Sequence, residues 1–367
     1  MFKGALPGFR DFYPQELAER AFIMNAWRDV ARRYAFVEYD GPPLEPLELY
    51  TKKSGAEIVG QLYNFVDKGG REVALRPEMT PTVARMVAAR ANALRKPVRW
   101  FSMPQLFRYE RQQKGRLREH YQLNVDIFGS ADVAADAELV AVAVDIMREL
   151  GLTSSDVVVR VSDRRLLHAF LESLGVPAER IVTISEVTLP EVQQRLAGSP
   201  AAVHAAEFDR YTAYVAALLG GDDSWLKLDL SIVRGLAYYT GIVFELFDRS
   251  GEFRAICGGG RYDTLLQSLG GADMPALGFG MGDVVLGELL KAKGLMKPVD
   301  ASADYWIAGD EALPLERVMT EAARLRAAGH SVEYALRPQS LNKQKKAAQA
   351  SGAREFVTLS NDNASNG

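Results

Sequence analysis

Apolar positions recur every three or four residues between 15 and 35, through Leu17, Ala21, Phe22, Met24, Trp27, Val30, Ala31 and Tyr34. This spacing predicts an amphipathic helix. A lead-in rich in Pro, Gly and aromatic residues, Leu6 to Pro14, comes before it. Residues 36–50 read as extended, with Pro42, Pro43 and Pro46, and strands are expected around 62–67 and 72–76. A helix follows over 77–94, with Pro81 near its first turn, where a missing N–H costs little. Two strand-like runs, 98–109 and 121–129, flank a loop at 110–120 that is almost wholly charged and polar. The next helix spans 133–150, with Asp132 as its N-cap and Gly151 just past its end.

From about 156 to 226 short pieces rich in Ala, Glu and Leu carry no chemical constellation and read as an inserted, mainly helical module. Strand character returns at 227–233 and 239–247, a glycine cluster follows at 257–261, and Gly278 to Gly282 opens a helix to about 291. Pro298 marks a linker. Residues 303–359 then alternate strand, helix, strand, helix and strand, the order of a small α/β domain with a mainly parallel sheet. The polar tail, 360–367, is expected to be disordered.

A length of 367 residues suits two domains, and 48% hydrophobic with 25% charged residues describes a soluble globular chain. No apolar run reaches the roughly 20 residues a membrane span needs, and the first eight residues hold no apolar stretch for a signal peptide. The single cysteine, Cys257, excludes an intramolecular disulfide framework and fits a reducing compartment, so a cytoplasmic location is expected. Net charge is −3, yet residues 85–118 hold ten Lys/Arg against one acid, Glu110. A basic segment on a near-neutral body suits an enzyme handling phosphates or a polyanion, although a solvated charged face would look the same. The four histidines are scattered, so no metal site is expected, and no Walker-type phosphate loop is present.

Four constellations carry candidate chemistry. In Arg76-Pro77-Glu78-Met79-Thr80-Pro81 a carboxylate and a hydroxyl stand two residues apart at a strand-to-helix junction, able to meet an amino group. Thr80 would equally serve as a helix cap there. The run Phe107 to Arg116 ends a strand and opens the basic loop, with guanidinium groups suited to phosphate oxygens. Gln122 and Asp126, four apart on the return strand, share one face. Together with an arginine opposite, they describe a pocket for a small zwitterion or cation. The third run, Val233 to Gly241, places Arg234 near the paired Tyr238 and Tyr239. A buried arginine there needs an anionic partner, and none is near in sequence. The fourth, Cys257 to Asp263, has three glycines that permit close backbone approach, although a glycine cluster is more often a turn. Cys257 has no base nearby in sequence and reads as a small buried residue.

In this order and separation, the constellations resemble the histidine–tRNA ligase family of class II aminoacyl-tRNA synthetases. Leu6 to Asp11 resembles its amino-terminal signature, Pro43 the proline of class II motif 1, and Phe107 through Gln122 motif 2. Arg234 to Tyr239 and Gly259 to Asp263 resemble the family's two histidine-specific peptides, and the similarity runs from about residue 4 to 359. The resemblance implies an α+β fold: an antiparallel sheet flanked by helices over 1–297, with the helical insertion, and an anticodon-binding-like α/β domain over 298–359 that stops a strand or two early. It further implies that histidine is activated to histidyl-adenylate by ATP and then passed to the 3′ end of its tRNA, by a homodimer.

By the same resemblance, Glu78, Thr80 and Gln122 would hold the amino and carboxylate end of histidine. Asp126 and Tyr239 would meet the imidazole, and Tyr262 would close the pocket. Arg108 would hold the ATP α-phosphate, with Glu110 near the adenine and Arg116 on the loop side of the triphosphate. Arg234 would be the catalytic cation, and Mg²⁺ would arrive with the nucleotide. Adenylation needs alignment and charge stabilisation, not a nucleophilic side chain, so the absence of a catalytic Ser or Cys is expected. Two positions depart from the pattern: Val285 stands where motif 3 ordinarily has an arginine that contacts ATP, and Ala237 where aspartate is frequent. The missing arginine at Val285 and the short C-terminal domain suggest an alternative: a non-catalytic, histidine-sensing regulatory subunit of ATP phosphoribosyltransferase. The retained Arg234, the tyrosine pair and the basic loop oppose it.

Overall fold

The computed structural model describes residues 4–51, 59–110, 117–176, 187–232, 238–298 and 302–360. The chain divides into two compact units, Met1–Pro298 and Val299–Gly367.

In the larger unit nine described strands form one sheet. Its main path runs in the order Val37–Glu38, Val98–Ser102, Glu119–Phe128, Ala276–Gly282, Cys257–Arg261, Ile242–Asp248, Val157–Asp163 and Leu226–Leu228, and Gln105–Phe107 pairs separately with the long strand. Pairing is antiparallel except at the two ends of this path, Val37–Glu38 on Val98–Ser102 and Leu226–Leu228 on Val157–Asp163. The expected antiparallel sheet flanked by helices is therefore present.

The long strand shows how the sequence separates core from site. Leu123, Val125 and Ile127 point to one face and join the main core with helices Pro14–Arg33 and Val133–Glu149. With the period of two, Gln122, Asn124 and Asp126 point to the other face. That second face is covered by helix Thr80–Arg90, through Val83, Ala84 and Val87, and by Tyr239, Tyr262 and Leu265. Strand Ile242–Asp248 alternates in the same way, with Ile242, Phe244 and Leu246 in the main core and Val243 on the opposite side. Helix Val133–Glu149 is buried along most of its length and begins as expected, with the Asp132 carboxylate accepting from the Ala134 N–H at 2.9 Å.

The glycine cluster is not a turn. Cys257–Arg261 is a fully buried inner strand, paired on one side with Ile242–Asp248 and on the other with Ala276–Gly282. Glycine is required because a Cβ at Gly259 would lie 2.3 Å from the carbonyl oxygen of Gly278, and one at Gly260 would lie 2.6 Å from that of Ile242. Arg261 ends the strand with an ion pair to the buried Asp136 of helix Val133–Glu149 and a 2.9 Å bond to the Ser130 carbonyl.

The insertion begins later than its composition suggests. Val157–Asp163, a run of β-branched residues buried on nearly every position, is a strand of the main sheet. The helices follow, at Arg164–Ser173, Leu189–Leu196 and Ala202–Leu218, the first of them capped by Asp163.

The smaller unit has three parallel strands in the order Val332–Tyr334, Tyr305–Gly309 and Glu355–Leu359, with helices Leu315–Ala327 and Leu341–Ser351. Ile307 and Trp306 belong to separate clusters on opposite faces of the central strand. The expected alternation of elements and parallel pairing are realised.

Two glycine substitutions should separate close approach from mere conformational freedom. Gly259→Ala should lower stability by about 2–3 kcal/mol or more, because the contacts are backbone atoms that cannot swing aside. Gly287→Ala, in helix Asp283–Ala292 with its nearest neighbour 3.6 Å away, should raise stability by about 0.5–1 kcal/mol. Urea unfolding of both variants checks this, and equal midpoints would refute it.

Candidate active site

A cavity opens over the polar face of the long strand. Glu78, Thr80, Arg108, Gln122, Asn124, Tyr238, Tyr239 and Tyr262 line it, with Gly258, Gly278 and Gly280 as its floor. Those last two glycines make room: a Cβ at Gly278 would lie 2.1 Å from an Asp126 carboxylate oxygen, and one at Gly280 would lie 2.8 Å from the Gln122 amide carbon. Thr80 does not cap its helix, since Met79 occupies the cap and no side chain caps the end, so its hydroxyl is left to the cavity it lines. Glu78 is buried and accepts from the Tyr238 hydroxyl at 3.2 Å. The rings of Tyr238 and Tyr239 lie 5.1 Å apart, and Tyr262 meets Tyr238 edge-on at 5.8 Å.

Asp126 joins this group through the Tyr262 hydroxyl, which donates to it. Burial pushes the Asp126 carboxyl up to about 7, and the Tyr262 bond only partly offsets this. His120 has the opposite fate. Loss of hydration, with the Arg108 and Arg10 guanidinium groups nearby, pushes it down to about 3, so its imidazole is neutral.

An outer cavity of about 310 Å³ shares Arg108, Gln122, Gly258 and Gly280 with the inner one. Its other walls include Glu110, Leu117, His120, Arg254, Cys257, Val284 and Val285. Arg108 stands at the junction, its Nε donating to the Pro77 carbonyl at 2.9 Å. The frame behind it is ionic: Arg10 bonds Glu119 at 2.6 Å and Asp283 at 2.9 Å, tying the amino-terminal segment to the long strand and to helix Asp283–Ala292.

Most sequence candidates therefore meet. Glu78, Thr80, Gln122, Tyr239 and Tyr262 surround the inner cavity, Asp126 is bound to Tyr262, Arg108 lies between the cavities and Glu110 lines the outer one. Arg116 and Arg234, like Ala237, lie outside the described residues. Among the described residues of the basic segment, Arg85 pairs with Glu45 at 2.6 Å, Arg99 pairs with Glu138, and Arg118 stacks on Tyr109 at 4.1 Å. Sequence reasoning singled out Tyr238 without giving it a role, and missed Asn124 and His120 as site residues. Asn124 was within reach, because it lies midway between two residues already placed on one face.

The comparisons with known proteins agree with this geometry. A profile described as histidyl-tRNA synthetase matches residues 8–188 and 181–282. A protein named histidine–tRNA ligase from Opitutus terrae is 44% identical, over 95% of this chain and 89% of its own length. The chain belongs to the histidyl-tRNA synthetase family. Solved structures show the same fold: a histidyl-tRNA synthetase from Nostoc sp. PCC 7120 has a TM-score of 0.80 at 24% identity, covering 96% of this chain and 91% of that one. One titled ATP phosphoribosyltransferase regulatory subunit/histidyl-tRNA synthetase, from Bacillus halodurans C, has a TM-score of 0.75 at 21% identity, covering 98% of both chains.

Within this synthetase fold the buried Asp126 gives a signed pH dependence. Its native value of about 7 lies above the roughly 3.9 of a solvated Asp, so the folded state favours the protonated form. The stability it contributes is full below about pH 4 and is lost as pH rises through 7. Asp126→Asn should flatten that decline by a few kcal/mol, on the order set by the shift. Urea midpoints compared at acidic and alkaline pH check it, and parallel profiles for variant and parent would count against it.

Proposed function

We propose that this chain is a histidine–tRNA ligase: it joins histidine to AMP from ATP and passes the histidyl group to the 3′ end of its tRNA. The observation that carries the reading is the pair of cavities that share Arg108 and Gln122. In it, histidine occupies the inner cavity, with Glu78, Thr80 and Gln122 at its amino and carboxylate end and the imidazole between Asp126 and Tyr239, closed by Tyr262. ATP occupies the outer cavity with its α-phosphate on Arg108 and its adenine near Glu110, and Arg116 serves the triphosphate. The histidine carboxylate oxygen then attacks the α-phosphorus and pyrophosphate leaves. Arg108 and the catalytic cation Arg234 stabilise the charge that builds on the phosphate oxygens. The step is accelerated by alignment of two anions and by fixed positive charge, with no covalent enzyme intermediate. In the second step the terminal ribose hydroxyl of the tRNA attacks the adenylate carbonyl and AMP leaves.

Mg²⁺ belongs to this reading as an ion carried by the nucleotide. The described residues hold no cluster of three His, Cys, Asp or Glu side chains able to cage a metal, and Glu110 is the one carboxylate among the residues lining the outer cavity. One carboxylate with substrate phosphates is a donor set that Mg²⁺ accepts, neutralising charge on the departing pyrophosphate. The smaller unit would bind the anticodon end of the tRNA. Dimerisation is supported by exposed apolar residues on strand edges: Val37 on the outermost strand of the main sheet, and Phe65 and Val66 on Asn64–Val66, an edge strand of a separate antiparallel sheet that it forms with Glu72–Leu75 and Leu44–Pro46. A cytoplasmic location is supported by the lone buried Cys257, and no described helix is long and apolar enough to cross a membrane.

The regulatory-subunit reading draws on the apolar Val285 in the outer cavity wall and on the short C-terminal domain. It is the weaker reading. The relative named a ligase is 44% identical, whereas the structure titled partly as a regulatory subunit is 21% identical and shows the fold alone.

Histidine-dependent exchange of pyrophosphate into ATP should be measurable with the purified chain. Arg234→Ala should reduce it by about a hundredfold or more, the usual loss when one fixed charge on the reacting group is removed. Histidine binding without exchange in the parent protein would sink the ligase reading and leave the sensor.

A further inference from the structure

Among the described residues lining the outer cavity, two carry a permanent positive charge, Arg108 and Arg254. Arg108 is placed at the junction with the inner cavity. Arg254 belongs to none of the constellations above and stands on the turn between strands Ile242–Asp248 and Cys257–Arg261.

That turn is a built structure. The Asp248 carboxylate, 2% exposed, accepts from the Ser250 hydroxyl at 2.5 Å and from the N–H groups of Glu252 and Phe253, both at 3.0 Å. Burial alone would push this carboxyl up, but the hydrogen bonds outweigh it and hold the group below its ordinary range. Gly251 supplies the left-handed residue, at φ +72°. Beyond Arg254 the backbone is fixed again, since the Ile256 N–H donates to Leu246 O at 2.8 Å and the Gly282 N–H to Ile256 O at 3.3 Å. Arg254 is thus carried between two anchored points, and the second anchor lies against the start of helix Asp283–Ala292.

The same helix contributes Val284 and Val285 to the cavity wall, and Val285 packs against the main core. The two valines make this wall apolar, while Arg254, an exposed residue, lines the same space. A planar fork of donors suits phosphate oxygens, and a polyphosphate leaves part of its charge facing water.

We propose that Arg254 is a nucleotide-binding residue that holds the triphosphate of ATP at the rim of the outer cavity, supplying from the 249–256 turn the positive charge that Val285 does not. The proposal rests on reading the outer cavity as the ATP site.

The test is calorimetric titration of the full chain, as parent, Arg254→Ala and Arg254→Lys, with Mg-ATP, with adenosine and with histidine. Arg254→Ala should weaken ATP by about tenfold, the loss of a charge-assisted contact, and leave adenosine and histidine binding unchanged. Arg254→Lys should recover part of the ATP affinity. Unchanged ATP affinity in Arg254→Ala, or equal losses for all three ligands, would overturn the proposal, as would a parent protein that does not bind ATP. Pyrophosphate exchange measured alongside keeps the two readings apart. Arg254-dependent ATP binding without exchange removes the ligase reading and keeps Arg254, and exchange with ATP binding indifferent to Arg254 does the reverse.

Discussion

The site depends on a sheet whose inner strands approach one another at positions where no side chain could fit. Cys257–Arg261 and Ala276–Gly282 pair through glycines, and a Cβ at Gly259 or Gly278 would fall within 2.3 Å of another atom. Glycine weakens an ordinary strand because it packs nothing and loses more conformational freedom. Here the space left by Gly278 and Gly280 is occupied by Asp126 and Gln122 from the neighbouring strand, so a buried face carries polar groups beneath the inner cavity. The hydrophobic side of those strands, facing helices Pro14–Arg33 and Val133–Glu149, supplies the burial that offsets this cost.

Electrostatics then divides the cleft. The inner end gathers Glu78 and Asp126 under a layer of tyrosines, with one hydroxyl directed to each carboxylate. Burial makes ionisation of Asp126 unfavourable, so a ligand that brings a donor or a positive charge relieves a penalty already present in the empty site. The outer end gathers guanidinium groups and keeps His120 neutral, which preserves an acceptor or a neutral donor beside them. A cationic or donor-rich ligand is thus favoured at one end and an anionic ligand at the other, with Arg108 between.

Much of this was legible in the chain because each element repeats a simple period. Leu123, Val125 and Ile127 against Gln122, Asn124 and Asp126 state a half-polar strand outright, and Asp132 with Gly151 brackets a helix by its caps. The strand at Val157–Asp163 was read as part of a helical module because composition over 156–226 is dominated by the helices that follow it. The glycine strand was ambiguous for a different reason: glycine is the commonest turn residue, and only the tertiary approach of Gly278 and Phe279 explains it as an inner strand. Within the basic segment the partners of Arg85 and Arg99 were hidden by distance in sequence, since Glu45 and Glu138 lie some 40 residues away in the chain. Arg254 gave no signal at all, because its place depends on how Asp248 folds one turn.

These differences share a physical basis. The inner end of the cleft is built on paired strands, whose register fixes side chains to a fraction of a residue, and its residues recur in tight motifs. The outer end is built on a junction, a turn and a helix start, where one guanidinium can replace another because charge acts over several ångströms and its source matters less than its position. A motif arginine can therefore be lost at a helix start if a neighbouring turn is rigid enough to present another. The Asp248-closed turn has that rigidity, and the valines of helix Asp283–Ala292 remain free to serve packing.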